Sequence, residues 1–207
     1  MPQSIKLLLL DIGGVLLTDG WETKSREKAA AHFSLDFDEL NQRHKNVFDA
    51  YESGKMSLDQ YLDLVIFHQE RTFGRQEFKD FMLGESKPLE DMIAFMKALK
   101  QQYRVPIATV NNEPLELNEH RIKTCGLSSF IDVFVSSCYV NLRKPDPKIY
   151  QLALSIMQAK PEEALYIDDR KVYTEQAAAM GINTIHHTGL ETTREQLKNF
   201  NFTVSST

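Results

Sequence analysis

The run from Ile5 to Leu10 is apolar at every position but Lys6 and stops at an acid, Asp11, followed by Ile12-Gly13-Gly14. A strand apolar on both faces must be covered on both faces, which is the situation of a parallel sheet flanked by helices. The pattern returns along the chain. Residues 105–110 form a second short apolar run that ends on Asn111-Asn112, and 133–135, 164–167 and 184–185 are further candidate strands. Amphipathic, helix-length stretches separate them at 89–102, 115–124, 147–157 and 174–180. Such alternation predicts parallel βα units. Gly126 and Gly181 fall where helix C-termini are expected, each followed by an apolar residue.

Residues 18–87 break this rhythm. They hold no convincing strand but several helical patterns, at 37–51, 58–68 and 76–82, with Asp36 and Ser57 as N-caps and Gly54 and Gly74 as punctuation. The expected architecture is therefore an α/β core of residues 1–17 and 88–207, a Rossmann-like, doubly wound and mostly parallel sheet. An all-helical insertion of residues 18–87 follows its first strand. Phe33, Phe37, Phe48, Phe67, Phe73, Phe78 and Phe81 are expected as the interior of that insertion. The polar stretch from Asn201 onward reads as a loosely held tail.

Composition narrows the function. A net charge of −5 and a pI near 5.7 argue against a nucleic-acid partner. No stretch approaches the roughly 20 apolar residues of a membrane helix. Cys125 and Cys138 are the only cysteines, too few for a disulfide framework or a thiolate metal site. A reduced, cytoplasmic monomer or homodimer is the expectation.

In parallel α/β sheets ligands bind beyond the carboxyl ends of the strands, where loops and helix N-termini converge. The residues found there are Asp11, Asn111-Asn112, Lys144 and Asp168-Asp169. Each has an ordinary reading. Asp11 is a turn acid before glycines, and Lys144 is a solvated lysine ahead of a helix that starts at Pro147. Adjacent acids at 168 and 169 repel one another, so a metal ion or a cation is the natural reason to place them together. His186-His187 reads as solvated or satisfied, Cys125 as a small buried residue, and Arg170 as pairing either with neighbouring acids or with phosphate.

Taken together, LLLLDIGGVLL, IATVNN, RKPDPKIYQLAL and LYIDDRKVYTEQAAAMGI resemble the four motifs of the haloacid dehalogenase (HAD) superfamily, in order and across nearly the whole chain. The Asp-x-Gly first motif is similar to the branch that includes small-sugar-phosphate phosphatases, with the helical insertion where that family carries its cap. The resemblance implies a Mg²⁺-dependent phosphatase acting on a small phosphorylated metabolite. Asp11 would be the nucleophile that forms an aspartyl-phosphate. Asp11, the Gly13 carbonyl and Asp169 would hold Mg²⁺, with Asp168 either a further ligand or an orienter of a metal-bound water. Lys144 would neutralise charge, and Asn111, with Asn112 and the following backbone amides, would bind phosphate.

Three positions depart from the family pattern. Gly13 stands where a second Asp often serves as general acid and base, Asn111 where Ser or Thr is usual, and Tyr173 where Asn is frequent. Glu113, just after the second motif, is one alternative proton source. The competing readings are a weakly active or non-catalytic HAD-like binding module, and then a metal-independent dehalogenase.

Overall fold

The structure, a computed structural model, describes residues 4–204. Its sheet has five strands, β1 (Leu7–Leu10), β2 (Ile107–Asn111), β3 (Val133–Ser136), β4 (Ala164–Asp168) and β5 (Asn183–His186). They run in the order β3-β2-β1-β4-β5, and every pairing is parallel. Leu8 faces Ile107 on one side and Leu165 on the other, so β1 is the central strand and all four of its leucines are buried. Alternate residues feed two cores. Leu8 and Leu10 pack into one with Met96 and Ile107, and Leu7 and Leu9 into the other with Val110, Ile149 and Tyr166. This is the doubly wound arrangement that two-faced apolar strands require.

The helices are α1 (Thr23–His32), α2 (Phe37–Glu52), α3 (Leu58–Val65), α4 (Arg75–Gly84), α5 (Glu90–Tyr103), α6 (Leu115–Thr124), α7 (Ser137–Val140), α8 (Pro147–Ile156), α9 (Lys171–Ala179) and α10 (Leu190–Leu197). The two expected caps are present. Asp36 accepts from the Glu39 amide, and Ser57 forms a reciprocal capping box with Gln60. Gly126 and Gly181 follow the ends of α6 and α9 with φ of 60° and 85°, values that suit glycine better than any other residue.

The four helices α1–α4 build a third apolar cluster around Trp21, Phe33, Tyr61, Leu62 and Phe78. Phe67, Phe73 and Phe81 pack against it, although Phe67 and Phe73 lie in the loop between α3 and α4 and not on a helix. Phe37 and Phe48 do not belong to that interior; Phe37 is half-buried at the start of α2, and Phe48 lines the cavity that faces the sheet. Two stretches also differ from expectation. Phe202 is buried, its ring meets Tyr103 edge-on at 4.9 Å, and the Thr203 amide donates to the Tyr103 hydroxyl, so the tail is docked at least to Thr203. The polar residues around Phe202 hid that anchor, and residues 205–207 lie outside the described part. Cys125 is half-buried at the core's margin instead of fully enclosed.

Candidate active site

Asp11 follows β1, Lys144 sits between α7 and α8, and Asp168-Asp169 close β4, and the fold brings all three segments to one rim. Lys144 is 2% exposed, and its ammonium lies 2.9 Å from Asp11 Oδ1 and 2.7 Å from Asp168 Oδ2. A third bond, 3.0 Å long, runs from Nζ to the Tyr166 hydroxyl, which itself donates to Asp168 Oδ2. Asp168 Oδ1 accepts from the Arg170 amide at 2.7 Å. The Tyr173 ring lies 4.9 Å from the Lys144 ammonium, so an aromatic face contributes here where the family pattern has an amide.

The charge balance explains the protonation behaviour. Three carboxylates share one ammonium. Burial, opposed by Lys144 and reinforced by Asp168, pushes Asp11 up to about 7. Burial, with help from Asp168 and Asp19, lifts Asp169 to about 6. For Lys144 burial works the other way, but Asp11 and Asp168 outweigh it and the pKa rises, so the ammonium stays charged. The rim thus carries an excess of negative charge that a cation would relieve.

One oxygen each from Asp11, Asp168 and Asp169 lie within 4.8 Å of one another. Asp169 Oδ1 is buried and has no hydrogen-bond partner, an arrangement that costs about 1–3 kcal/mol unless something binds there. Hard carboxylate oxygens with an open position suit Mg²⁺. The local backbone is shaped around this acid. Gly14 has φ of 70°, and a Cβ there would come 2.4 Å from Asp169 Oδ2.

The second-motif asparagines differ from expectation. Asn111 is fully buried, its amide nitrogen donates to Asn118 Oδ1, and its oxygen accepts from Ser136. It is not among the residues that line the cavity, and its side chain ties β2 to α6 and β3. Asn112 does line the cavity, and its amide clamps the Lys144 backbone, accepting from Lys144 N at 2.8 Å and donating to Lys144 O at 3.0 Å.

A cavity of about 360 Å³ opens over Asp11, Gly13 and Lys144. Its far wall comes from the inserted helices, with Trp21, His44, Phe48 and Glu52, and its near wall includes Glu113, Arg143, Arg170 and Tyr173. Burial raises Glu113 to about 7, although Arg121 donates to its Oε1. Arg121 also donates to the Thr18 carbonyl at 2.8 Å and to Ser86 Oγ at 3.0 Å, joining both ends of the insertion to the core. Arg143 ion-pairs with Asp49 and Glu52 of α2. Most of these residues carried no motif. Arg143, Tyr166, Arg170 and Tyr173 fall inside the third and fourth motifs, and Tyr166 lies two residues before Asp168 and so on the same face of β4. His186 and His187 are satisfied by the Asp169 carbonyl and Thr193, as expected.

A parallel sheet with a buried acid–lysine–acid centre at its carboxyl rim, roofed by inserted helices, defines an α/β protein of the hydrolase type. The chain belongs to the family described as haloacid dehalogenase-like hydrolase, whose model matches residues 5–181. It is 28% identical over 132 residues to the phosphorylated carbohydrates phosphatase of Thermotoga maritima, a match covering 64% of this chain and 56% of that relative. The chain thus spans little more than half the length of that curated relative. Among solved structures, a HAD family enzyme of Bacteroides thetaiotaomicron in complex with magnesium and inorganic phosphate superposes with a TM-score of 0.72. That match has 18% identity and covers 88% of this chain and 93% of the other. A defluorinating L-2-haloacid dehalogenase gives 0.62 at 21% identity, covering 87% and 80%. Likeness at these identities concerns the fold alone.

Proposed function

We propose that the protein is a Mg²⁺-dependent phosphomonoester hydrolase acting on a small phosphorylated metabolite, with sugar phosphates the leading class. The observation that supports this best is the buried Asp11–Lys144–Asp168 network opening onto a cavity beside Asp169, whose inner oxygen has no partner. In this reading Asp11 attacks phosphorus and the bond to the leaving oxygen breaks, giving an aspartyl-phosphate. Water then attacks phosphorus and returns Asp11 and inorganic phosphate. Lys144 holds Asp11 in place and balances charge on the phosphoryl oxygens. Asp168 anchors Lys144, since both its oxygens are already engaged. Asp11, Asp169 and the Gly13 carbonyl would hold the metal ion, which when bound supplies charge neutralisation at the phosphoryl group. Asn112 positions Lys144, and phosphate recognition falls to Lys144, Arg170 and backbone amides. Residues 18–87 act as the cap that shapes the leaving-group side.

Gly13 favours a second reading, a weakly active binding module, because it offers no group for proton transfer. Two carboxyls stand near it. A Cβ on Gly13 would lie 3.6 Å from Asp19 Oδ1, and Glu113 lines the same cavity. A panel of phosphorylated metabolites with and without Mg²⁺, run on wild type and Asp11→Asn, tests the reading. Phosphate release that needs both Mg²⁺ and Asp11 is expected. No release from any substrate would favour the binding module, and metal-free halide release from 2-haloacids would favour the dehalogenase.

A further inference from the structure

Within the inserted helices one hydrogen-bond chain runs from the interior to the cavity. Trp21 Nε1 donates to the Tyr61 hydroxyl at 2.8 Å, and that hydroxyl lies 2.8 Å from His44 Nδ1. Indole nitrogen can only donate, so Tyr61 accepts from it and has its single proton left to give. Tyr61 is fully buried, and an unplaced hydroxyl proton there would be costly. The proton therefore goes to His44 Nδ1, which must be an acceptor. The ring then carries its own proton on Nε2, which has no partner among the described residues, and His44 lines the cavity above Asp11 and Lys144.

We infer that His44 is a specificity-determining residue, whose Nε2–H is a fixed donor to an uncharged oxygen of the substrate's leaving group. Surrounding chemistry defines that group. Phe48 stacks on His44 at 5.5 Å between centroids and offers an apolar face. Glu22 and Glu52 line the same cavity and disfavour a second anion. Arg143 is already paired with Asp49 and Glu52, so it is not a free anion receptor. A neutral leaving group with a hydroxyl or ring oxygen and an apolar face, as in a sugar or polyol, fits this wall. Burial, aided by the cations Arg26 of α1 and Lys45 of α2, depresses His44 to about 3, which keeps the donor neutral. The inference rests on the phosphatase reading for its substrate but not for its tautomer.

Both parts can be measured separately. Nitrogen-15 spectra of the imidazole should show the Nε2–H form unchanged from pH 5 to 8, and Tyr61→Phe should release the ring into a mixture of tautomers. A proton on Nδ1, or a ring that titrates in that range, would overturn the inference. In kinetics, His44→Phe should lower kcat/KM for a hexose 6-phosphate about tenfold, the worth of one hydrogen bond, mostly through KM. Phenyl phosphate, which has no such oxygen, should be unaffected, and His44→Gln should recover part of the loss. Equal losses on both substrates would mean a structural role, and no loss on either would remove the contact; each refutes the inference. Turnover of phenyl phosphate but not of the hexose phosphate would sink the assigned leaving group. If neither is turned over it is the phosphatase reading that fails, and the tautomer still stands or falls by its spectrum.

Discussion

At the sheet rim, Lys144 commits all three ammonium protons to Asp11, Asp168 and Tyr166, and Asp168 has both oxygens engaged. On the facing wall of inserted helices the polar groups are fewer and sit among rings, with His44 keeping one nitrogen open beside Phe48. The rim is held by charge balance: losing Lys144 would leave buried carboxylates uncompensated, whereas losing one carboxylate relieves an excess of negative charge. The helical wall is held by aromatic packing, where a changed side chain alters shape and one hydrogen bond. In the proposed function, chemistry falls on the side that tolerates little change and selectivity on the side that tolerates more.

Asp11→Asn is the harshest test of that division. It should lower turnover on the order of 10⁴-fold or more, the scale seen when a covalent nucleophile is removed. The melting temperature should hold or rise, because the excess of negative charge in the cluster of Asp11, Asp168 and Asp169 is reduced while Lys144 keeps Asp168. A large loss of stability would mean that Asp11 holds the rim together instead of straining it.

The seam between the two regions is the next place to break the contrast. Arg121→Met leaves Glu113 without its buried partner and frees both Thr18 and Ser86, and should cost about 3–5 kcal/mol by denaturant unfolding. Glu113 also makes stability depend on pH. Its folded pKa is raised to about 7 from 4.5, so the folded state holds the proton more tightly than the unfolded chain does. That contribution is fully present below about pH 4.5 and is lost as pH rises through 7. Unfolding free energies measured between pH 4.5 and 8 should show this fall in the wild type and a flatter profile in Glu113→Gln.

Asp169 sharpens the comparison at lower amplitude. Its inner oxygen is buried without a hydrogen-bond partner. Asp169→Asn should raise the Mg²⁺ concentration for half-maximal rate about 10–100-fold, with a smaller effect on the rate at saturating metal. Removing metal with a chelator should silence the wild type reversibly. A variant whose metal response matches the wild type would refute Asp169 as a ligand.

Legibility in the sequence followed the same boundary. The rim's acids end apolar strands, and strand ends are fixed by burial periodicity, so Asp11, Asp168 and Asp169 could be assigned to one rim from the strand pattern alone. Lys144 joined them through its Lys-Pro-Asp-Pro stretch. The five strands were legible for the same reason as the acids, although β2 runs one residue further, to Asn111. Asn111 is thus a strand residue paired with Ser136, and its side chain is enclosed between Asn118 of α6 and Ser136 of β3, partners that no local pattern links to it. On the helical wall the residues that matter come from α2 and α3 and meet only through packing. Helical spacing assigned Phe48 to the interior and said nothing of His44, because inward and cavity-facing positions of an amphipathic helix share one period. Tyr61 and Trp21 are 40 residues apart, and no local pattern joins them.

The smallest expected effect concerns Gly13, and its neighbour Gly14 supplies the contrast. Gly14 has φ of 70° and no room beside Asp169, so Gly14→Ala should disrupt both fold and metal response. Gly13 has no such constraint. A Cβ there meets nothing closer than 3.6 Å, from Arg121 Nη1 and Asp19. Gly13→Ala should therefore be neutral or stabilising by about 0.4–1 kcal/mol, read by thermal unfolding, since it removes freedom from the unfolded chain without strain. The space at Gly13 makes it a clean place to test the missing proton donor. Without a carboxylic acid there, the leaving oxygen departs as an alkoxide or takes its proton from elsewhere, so rate should depend steeply on leaving-group pKa. Aryl and acyl phosphates should outrun primary alkyl phosphates in the wild type, and the aspartyl-phosphate should build up as a burst. Gly13→Asp should flatten the series by supplying the acid. Should the wild-type series already be flat when chemistry limits the rate, a proton donor is present, and Asp19→Asn and Glu113→Gln become the variants that identify it.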